Sequence, residues 1–590
     1  MFNVNPVNPI RLNQELVCVA ETNEIIESVI KKAREKKANR IILDGTHGVP
    51  FASFVEKLYE KLQEREYSPA TVDTNAYLKS SDELHMQFRD NITDNRAFGY
   101  MVEGDISAYF KEDAKISYKK TVAPSGNFTI EYGTGSYWLN NDSKEDCLYI
   151  YLDISREKQQ VLYKDGLSNF GDNASGDFVE KYKISFFVEW PILEKYRKET
   201  LKNFDYYIDF NQTEKPVMTS VSDLFAMAED ISNHPLRVKP FFAPGVWGGQ
   251  FLKNLADLPE DWVNCAWSFE PIAPENSILI GCGDQVLEVP FLIIMDLAHQ
   301  PILGDRIVGL FGDYFPIRFD YLDTMDGTNL SCQVHPKQSY IREKFNYPLE
   351  QQESYYMMEK KEGSKVYLGL TEDCSPTGFL QEVEHSQMSG EPIEFTKYVK
   401  EWDCEKGDLF LIPTGTVHCS GSDNLVLEIS ATTWWFTFKI YDYVRKDLDG
   451  KPRPINIDHA KENIDWYKKE NWVKENLIQH PRLIQQQKEN QEYVLGARED
   501  LLFYVNRIHL HDCWRDDTNG EVMLLNLVEG DRISIRSTQN PDVQVELGYA
   551  ESYIIPAVFG EFEIINIGTT PCKIIKAGVS PQWDVKILDE

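Results

Sequence analysis

The first two hundred residues alternate between apolar patterns of helical and of strand type. Residues 22–37 place isoleucine and valine at positions 25, 26, 29 and 30, the spacing of one helix face. The run NRIILDG, residues 39–45, is typical of a buried strand, and FASFVEKLYEKLQE, residues 51–64, returns to helical spacing. The order helix, strand, glycine loop, helix predicts an α/β domain, to which we assign residues 1–210.

Towards the end of this region the pattern again predicts strands that alternate with a helix. KYKISFFVEWPILEKYRKETLKNFDYYIDFN, residues 181–211, reads as a strand-like run, a helix and a second strand-like run. Residues 211–239 are richer in polar residues and proline. We therefore expect a linker there.

Beyond residue 240 the pattern changes to short β-type runs separated by turns. GSKVYLGLT, KGDLFLIPTGTVH and SGSDNLVLEIS are examples, and VMLLNLVEGDRISI continues the pattern near the C-terminus. Many short strands with turn residues between them predict sandwiches of the jelly-roll type. We assign one to residues 240–457 and a second to 496–590. Residues 458–495 are predicted to form a helical connector.

Composition and charge limit the kinds of partner and the cellular compartment that we expect for the protein. Lys and Arg number 61 against 94 Asp and Glu, a net charge of −33. This balance argues against a nucleic-acid or anionic-membrane surface, although a local basic pocket can still hold a small anionic substrate. The N-terminus has no signal-type pattern and no run of about 18 apolar residues occurs. The ten cysteines are scattered along the chain and form no CxxC motif. We therefore expect a cytoplasmic protein with reduced thiols.

Candidate metal donors lie in the first of the β-rich regions. Gln333 and His335 are two apart in NLSCQVHP, so both point to one face if the segment is a strand. Glu353 follows in QESYYMM, and His418 ends GDLFLIPTGTVH. Two imidazoles, a carboxylate and an amide oxygen suit a borderline divalent ion, zinc first, with iron, cobalt and manganese as alternatives. Spacing alone leaves open that the histidines only pack and that the glutamate is solvated.

The glycine loop of the first domain, DGTHGVPFAS at residues 44–53, resembles the Walker A loop of uridine-kinase-like P-loop kinases. Asp44, Gly45 and Gly48 match that pattern. Pro50 and Phe51 replace its second glycine and its lysine, which removes a backbone donor and a positive charge from a phosphate cradle. We expect a degenerate P-loop that survives as structure. Binding of a nucleotide or sugar phosphate without kinase chemistry is the alternative.

Residues 240–590 resemble the type I mannose-6-phosphate isomerases, which are zinc-dependent cupins. The motifs that carry the resemblance are PGVWGG, NLSCQVHP, QESYYMM, GDLFLIPTGTVHC, LVLEIS, FKIYDYVR, RPINIDHA and GYAESYIIPAVFGEFEI, in family order. The resemblance implies a double cupin. It also implies one divalent ion held by Gln333, His335, Glu353 and His418.

The chain departs from that family at positions near the expected reaction. Gln351 stands where the family has a lysine, two residues before the ligand glutamate, and Lys439 stands where it has an arginine. The resemblance assigns Lys439 the catalytic role of oxyanion or phosphate partner, and it assigns Ser331 and Arg445 to substrate binding, with an ion-pair role open for Arg445. Glu428 is open as a base, but a supporting role behind a ligand is favoured.

Three functions are compatible with these residues. The first is interconversion of mannose 6-phosphate and fructose 6-phosphate through a cis-enediol, with a small sugar phosphate as the only expected partner. The second is a non-catalytic sugar- or nucleotide-responsive metalloprotein, and the third is an isomerase or epimerase of another sugar. The pair Trp434-Trp435 either stacks on a sugar or packs in the core, and packing is favoured. The oligomeric state is left open.

Overall fold

The N-terminal α/β pattern folds around a seven-stranded sheet. The computed structural model describes residues 2–12, 16–121, 128–140, 146–173, 176–446, 450, 453 and 455–587. In spatial order the strands of this N-terminal sheet are Cys18–Ala20, Val217–Ser220, Tyr206–Asp209, Cys147–Asp153, Arg40–Gly45, Phe128–Tyr132 and Pro69–Asp73. The last five strands in this order pair in parallel. The second strand pairs antiparallel with both the first and the third.

Helices cover both faces of the N-terminal sheet. They are Thr22–Lys36, Phe51–Glu64, Ser81–Ile92, Ala114–Thr121, Ser136–Asn140, Arg156–Lys164, Phe178–Ile184, Trp190–Thr200 and Val221–Ile231. Short 3₁₀ turns span Thr74–Tyr77, Ile106–Tyr109 and Leu201–Asn203. The predicted helices and the strand of residues 22–64 are present. One face buries isoleucine and leucine from the first two helices, and the other face is continuous with the core of the next domain.

Two predictions for this region are wrong. Residues 178–200 are helical throughout, with a π turn at Ser185–Glu189, so no strand forms at FFVEW. The aromatic run is apolar because two domains bury it, and apolar runs of this length do not distinguish strand from helix. The expected linker, 211–239, contains strand Val217–Ser220 and helix Val221–Ile231, which the Ser220 hydroxyl caps. The strand of this segment extends the N-terminal sheet. Polar and proline-rich composition therefore gave a wrong prediction of a linker here.

A small three-stranded sheet lies between the domains. Val7–Asn8 pairs in parallel with Ser277–Cys282, which pairs antiparallel with Gln285–Pro290, and helices Phe291–Leu303 and Asp305–Phe311 follow. Cys18 and Cys282 form a disulfide, so the expectation of reduced thiols fails for this pair. The two cysteines are 264 residues apart, and only the fold brings them together. The other eight cysteines are free thiols.

The first β-rich region is a sandwich of two antiparallel sheets. Its larger sheet has the order Leu409–Ile412, Glu353–Lys360, Asn424–Ala431, Ile317–Asp323, Trp267–Phe269 and Phe241–Ala243. Its smaller sheet has the order Val399–Asp403, Lys365–Leu370, His418–Ser420, Cys332–Val334 and Phe438–Tyr441. Helices Phe251–Leu255, Gln338–Phe345 and Pro376–Ser389 and the 3₁₀ turn Phe395–Lys397 lie outside the sheets.

The second β-rich region is a smaller sandwich of the same kind. One sheet has the order Arg482–Gln487, Asn490–Gly496, Phe503–Leu510, Cys572–Val579, Met523–Glu529 and Ser552–Ile555. The other has Cys513–Asp517, Glu561–Asn566, Arg532–Ser537 and Gln544–Gly548, and a 3₁₀ turn spans Ala557–Phe559. The structure therefore agrees with the expected pair of β-sandwiches after an α/β domain.

The expected helical connector, 458–495, is helical only in its first part. Helices Ile457–Asn463 and Glu470–Asn476 are followed by the hairpin of Arg482–Gln487 and Asn490–Gly496. The Gln-rich hairpin has good intrinsic helix propensity, but pairing with Phe503–Leu510 overrides it. Among the described residues, no helix is both long and apolar enough to cross a membrane.

Strand register places polar side chains inside the first sandwich. Gln333 pairs with His418 on one side and with Lys439 on the other, and directly opposed residues project from the same face of a sheet. In the larger sheet Glu428 pairs with both Asp320 and Tyr355. The contact of His418 with Glu353 shows that these two faces meet. The interior between the sheets is therefore polar at this level.

Candidate metal centre

Three of the four predicted metal donors converge between the two sheets. The Nε2 atom of His335 lies 2.8 Å from Oε1 of Glu353, and Nε2 of His418 lies 3.2 Å from Oε2 of the same carboxylate. Ligand atoms of the three residues lie within 4.8 Å of one another, and each side chain is almost completely buried. The fourth donor, Gln333, has its amide nitrogen 3.3 Å from His418 Nε2. Side chains of residues that are up to 85 positions apart in the sequence thus lie close together between the sheets.

Backbone carbonyls fix which imidazole nitrogens face this point. Nδ1 of His335 lies 3.2 Å from the carbonyl oxygen of Phe436, and Nδ1 of His418 lies 2.8 Å from that of Thr416. A carbonyl only accepts, so each Nδ1 carries a proton, and in the neutral imidazole each Nε2 presents a lone pair. These lone pairs meet a carboxylate, which is also an acceptor. A cation between the three groups satisfies this arrangement, either as a proton on an imidazole or as a metal ion, and a divalent metal ion fits the donor set.

The two glutamine amides complete the inner surface. Gln351 donates from Nε2 to Oε1 of Glu353 at 2.7 Å, so it supports the carboxylate from the side. Its own Oε1 is buried and accepts no hydrogen bond from any described residue. At Gln333 the amide nitrogen and oxygen exchange by a simple flip, which turns the oxygen towards the donor cluster. A carbonyl oxygen is the atom that ligates a metal.

Buried charges behind the donors favour a cation. The guanidinium of Arg318 lies 3.1 Å from Asp320 and 3.3 Å from Glu353, and it also contacts Glu428. One guanidinium faces three carboxylates, so the ionised cluster carries two excess negative charges. Burying such an excess is costly unless it is compensated. A divalent ion would supply the two missing positive charges.

The pKa values of these groups report the same imbalance. Burial raises the pKa of Asp320 to about 7, despite the opposing effect of Arg318. Burial also raises the pKa of Glu428 well above its usual value, although Arg318 again opposes the shift. Burial acts in the same direction on Glu353, but the positive charge and hydrogen bonds of protonated His335 and His418 outweigh it and hold its pKa well below the usual range. Glu353 is therefore the carboxylate that stays ionised beside the histidines.

The other predicted site residues divide into two groups. Lys439 is half-buried and lies across from Gln333 in the smaller sheet, which places it on the face that carries the donors. Ser331 donates to Asp442 at 2.8 Å. Arg445 bonds to the same Asp442, to the Thr328 hydroxyl and to a backbone carbonyl. Ser331 and Arg445 thus belong to a hydrogen-bonded cluster around Asp442, and the ion-pair reading of Arg445 describes its contacts.

Sequence reasoning missed Arg318, Asp320 and Tyr355. Tyr355 follows Glu353 by two positions on one strand, and its buried hydroxyl forms no hydrogen bond with any described residue. Arg318 and Asp320 are also two apart, in the strand IRFDYLD. Charged residues at alternate positions of an otherwise apolar strand were the available signal, because they mark one face as polar. The same rule had identified Gln333 and His335.

The tryptophan pair packs against the N-terminal domain. The ring of Trp435 stacks on that of Tyr182 with 4.5 Å between centroids, and its Nε1 donates to the carbonyl of Ala97 at 3.0 Å. Trp434 contacts Tyr182 and Phe269 edge-on or tilted. These contacts support the packing role that the sequence favoured.

The glycine loop has a different local chemistry. Asp44 accepts hydrogen bonds from the backbone N–H groups of Gly45, Gly135 and Tyr137 and from the Tyr196 hydroxyl. Pro50 caps helix Phe51–Glu64 without any side-chain hydrogen bond. The carboxylate of Asp44 therefore has all of these hydrogen-bond partners within the protein itself.

Comparison with known proteins gives one family model and several sequence relatives. Residues 22–233 match a family model described as a domain of unknown function (DUF8485). The mannose-6-phosphate isomerase ManA of Bacillus subtilis (strain 168) is 28% identical over 241 residues, 40% of this chain and 69% of that protein. The probable mannose-6-phosphate isomerase GmuF of the same organism is 26% identical over 343 residues, 56% of this chain and 96% of that protein.

A solved structure is also similar. The crystal structure of the mannose 6-phosphate isomerase from Bacillus subtilis covers 59% of this chain and 100% of its own, with 21% identity and a TM-score of 0.48. The sequence relatives agree with the resemblance found in residues 240–590.

Proposed function

We propose that the protein is a metal-dependent isomerase that interconverts an aldose phosphate and its ketose phosphate, of the mannose-6-phosphate to fructose-6-phosphate type. One observation carries the proposal. The Nε2 lone pairs of His335 and His418 meet the Glu353 carboxylate inside a sandwich whose sequence relatives are named mannose-6-phosphate isomerases. We assign metal ligation to these three residues and to Gln333, with zinc as the expected ion.

The reaction moves a proton between adjacent carbons of an opened sugar. Negative charge develops on oxygen in the cis-enediol, and preorganised positive charge in a dry site lowers its free energy. A bound divalent ion would supply Lewis acidity towards the sugar oxygens. The chain's own contribution is a set of ligands that are at most 8% exposed, so that water is largely excluded from the reacting atoms.

Lys439 is the residue we assign to the anionic part of the substrate. It shares a sheet face with Gln333, and its ammonium group keeps the positive charge of the arginine in related sequences without the two-pronged geometry. Glu428 is bound by Arg318 and by the Ser430 hydroxyl, which favours a supporting role over that of base. Gln351 cannot exchange a proton at neutral pH, and its contact with Glu353 suits the positioning of a ligand.

The division of labour along the chain follows from these assignments. We propose residues 240–457 as the metal-binding cupin and residues 482–590, which include the hairpin that precedes residue 496, as a second cupin that supports it. For the first 210 residues we keep the interpretation of a degenerate P-loop fold that is retained as structure. The internal hydrogen bonding of Asp44 and the position of Pro50 before helix Phe51–Glu64 support that interpretation.

An isomerase assay on metal-loaded protein tests the proposal. We expect aldose–ketose conversion with mannose 6-phosphate, loss of the activity after chelation and recovery on addition of zinc or cobalt. His418→Ala is the matched negative control, because it removes one ligand while leaving the strand pairing of its backbone. Absence of turnover over a panel of hexose and pentose phosphates with stoichiometric metal bound would reject the proposal.

A non-catalytic metalloprotein that responds to a sugar phosphate is the second candidate. Gln351 favours it, because the amide occupies the place of a lysine and is engaged with Glu353. Calorimetric binding of mannose 6-phosphate without turnover would distinguish this candidate from the first.

A further inference from the structure

Aromatic residues of the N-terminal domain cover one segment of the first sandwich, Trp434–Phe438, which we call the cover segment. Phe98, Phe186 and Phe187 contact the ring of Phe436, with centroids 5.9–6.2 Å apart. Phe345 and Tyr347 of the sandwich contact that ring from their own side at 4.9 and 5.0 Å. The Phe436 side chain is completely buried between the two domains.

The backbone of this same residue touches the candidate metal centre. The carbonyl oxygen of Phe436 lies 3.2 Å from Nδ1 of His335. That contact selects the tautomer in which Nε2 faces Glu353, and the carbonyl partner of a ligating imidazole also sets the orientation of the ring. The position of Phe436 therefore determines how His335 is presented.

A local irregularity in the N-terminal domain creates the covering surface. Pro191 has no N–H for the carbonyl of Phe187 four residues earlier, and a π turn forms at Ser185–Glu189. The Phe187 carbonyl instead accepts from the backbone N–H of Val102 at 2.9 Å. This bond secures the segment that contains Ala97, whose carbonyl receives the Trp435 indole N–H.

Tyr182 fixes the covering helix to the sandwich at a second point. Its ring stacks on Trp435, and its hydroxyl donates to Oε1 of Glu275 at 3.1 Å. Glu275 is 1% exposed and also accepts from Arg156 at 2.9 Å and from Gln160 at 2.7 Å. Buried, charge-assisted hydrogen bonds of this kind impose a defined geometry on the groups they join.

We infer that the N-terminal domain is a working part of the metal centre: Tyr182 and Phe186 are positioning residues that hold the Phe436 carbonyl against His335. The inference rests on the proposed metal ligation. It gives residues 22–233 a function that requires neither a nucleotide nor catalysis in that domain. The domain acts through the cover segment, and loosening this contact weakens metal binding.

The experiment measures cobalt(II) affinity of the full-length protein by competition with a chelator, together with the visible absorption of the cobalt complex. We expect Phe186→Leu and Tyr182→Leu each to weaken cobalt binding about tenfold or more, as loss of a ligand's hydrogen-bond support does. Tyr182→Phe keeps the stacked ring and loses only the hydrogen bond to Glu275, so it should weaken cobalt binding less than Tyr182→Leu does. Phe210→Leu is the matched control, because Phe210 is equally buried in the N-terminal domain but packs against Phe54 on the other side of the sheet.

A second measurement does not need a metal. In metal-free protein labelled with ¹⁵N-histidine, His335 should be Nδ1-protonated in wild type and in Phe210→Leu, and a mixture of tautomers in Phe186→Leu. Wild-type cobalt affinity, absorption and tautomer in Phe186→Leu and Tyr182→Leu would overturn the inference while leaving the metal centre intact. Failure of the wild type to bind cobalt would overturn the metal centre and the inference together. Cobalt binding that responds to these variants without isomerase turnover would support the inference and reject only the enzyme.

Discussion

Asp44 and Glu353 are both buried carboxylates in motifs that resemble ligand sites, and their surroundings differ. Asp44 accepts four hydrogen bonds from its own domain. Around Glu353, the Gln351 Oε1 and the Tyr355 hydroxyl are buried and form no hydrogen bond with any described residue, and the His335 Nε2 lies 2.8 Å from the carboxylate itself. Native proteins rarely leave buried polar atoms unpaired without a functional reason. The acid of the first motif is therefore paired within the protein, whereas the second motif leaves buried polar atoms unpaired beside its acid.

The largest expected effect comes from removing a donor at the incomplete site. His418→Ala should abolish stoichiometric metal binding and lower isomerase activity by about 10³-fold or more, equivalent to about 4 kcal/mol of transition-state stabilisation. Elemental analysis and the isomerase assay measure the two effects. A variant that retains both metal and activity would show that the unpaired atoms have another cause.

The support of Glu353 by Gln351 predicts a smaller loss. Gln351→Met keeps the approximate volume and removes the 2.7 Å hydrogen bond to Oε1. Metal affinity should fall about 10- to 100-fold, because the carboxylate loses its orienting partner. Chelator competition measures the change. Unchanged affinity would show that Gln351 does not support the metal centre. The absence of a lysine would then be the only effect of having glutamine at this position.

At the complete site, a substitution should change stability and its pH dependence. Burial raises the pKa of Asp44 to about 6, although its hydrogen bonds act in the opposite direction. The folded protein then holds a proton that the unfolded chain releases near pH 4, so this group's contribution to stability falls as pH rises from about 4 to 6. The stability advantage of wild type over Asp44→Asn should shrink by about 2–3 kcal/mol over this range. Urea unfolding at several pH values measures it, and a constant difference would contradict the assignment.

The smallest expected effect is a response to nucleotide. A metal ion at 100 times its dissociation constant should stabilise the protein by about 2.7 kcal/mol, whereas Mg-ATP should leave the unfolding temperature unchanged. Thermal unfolding with each ligand added separately makes the comparison. Stabilisation by Mg-ATP in metal-loaded protein would mean that the glycine loop still binds phosphate.

Periodicity predicted the elements that bury one clear face. Helices Thr22–Lys36 and Phe51–Glu64 and strand Arg40–Gly45 follow the 3.6-residue or continuous apolar patterns closely. It failed at the aromatic run of residues 184–190, which two domains bury from several sides, and at Arg482–Gln487, where strand pairing overrides helix propensity. In both cases the deciding contact comes from a distant part of the chain.

The sequence by itself determined the α/β pattern of the first domain and the two β-sandwiches, because periodicity is local. The family resemblance made Gln333, His335, Glu353 and His418 the candidate donors. Only the tertiary structure decided that His335, Glu353 and His418 meet, that Arg318 and Asp320 lie behind them, and that Ser331 and Arg445 belong to the Asp442 cluster. It also decided that the N-terminal domain covers the segment whose carbonyl contacts His335. The physical reason is that strand register, sheet facing and domain packing fix distances between residues that no local pattern relates.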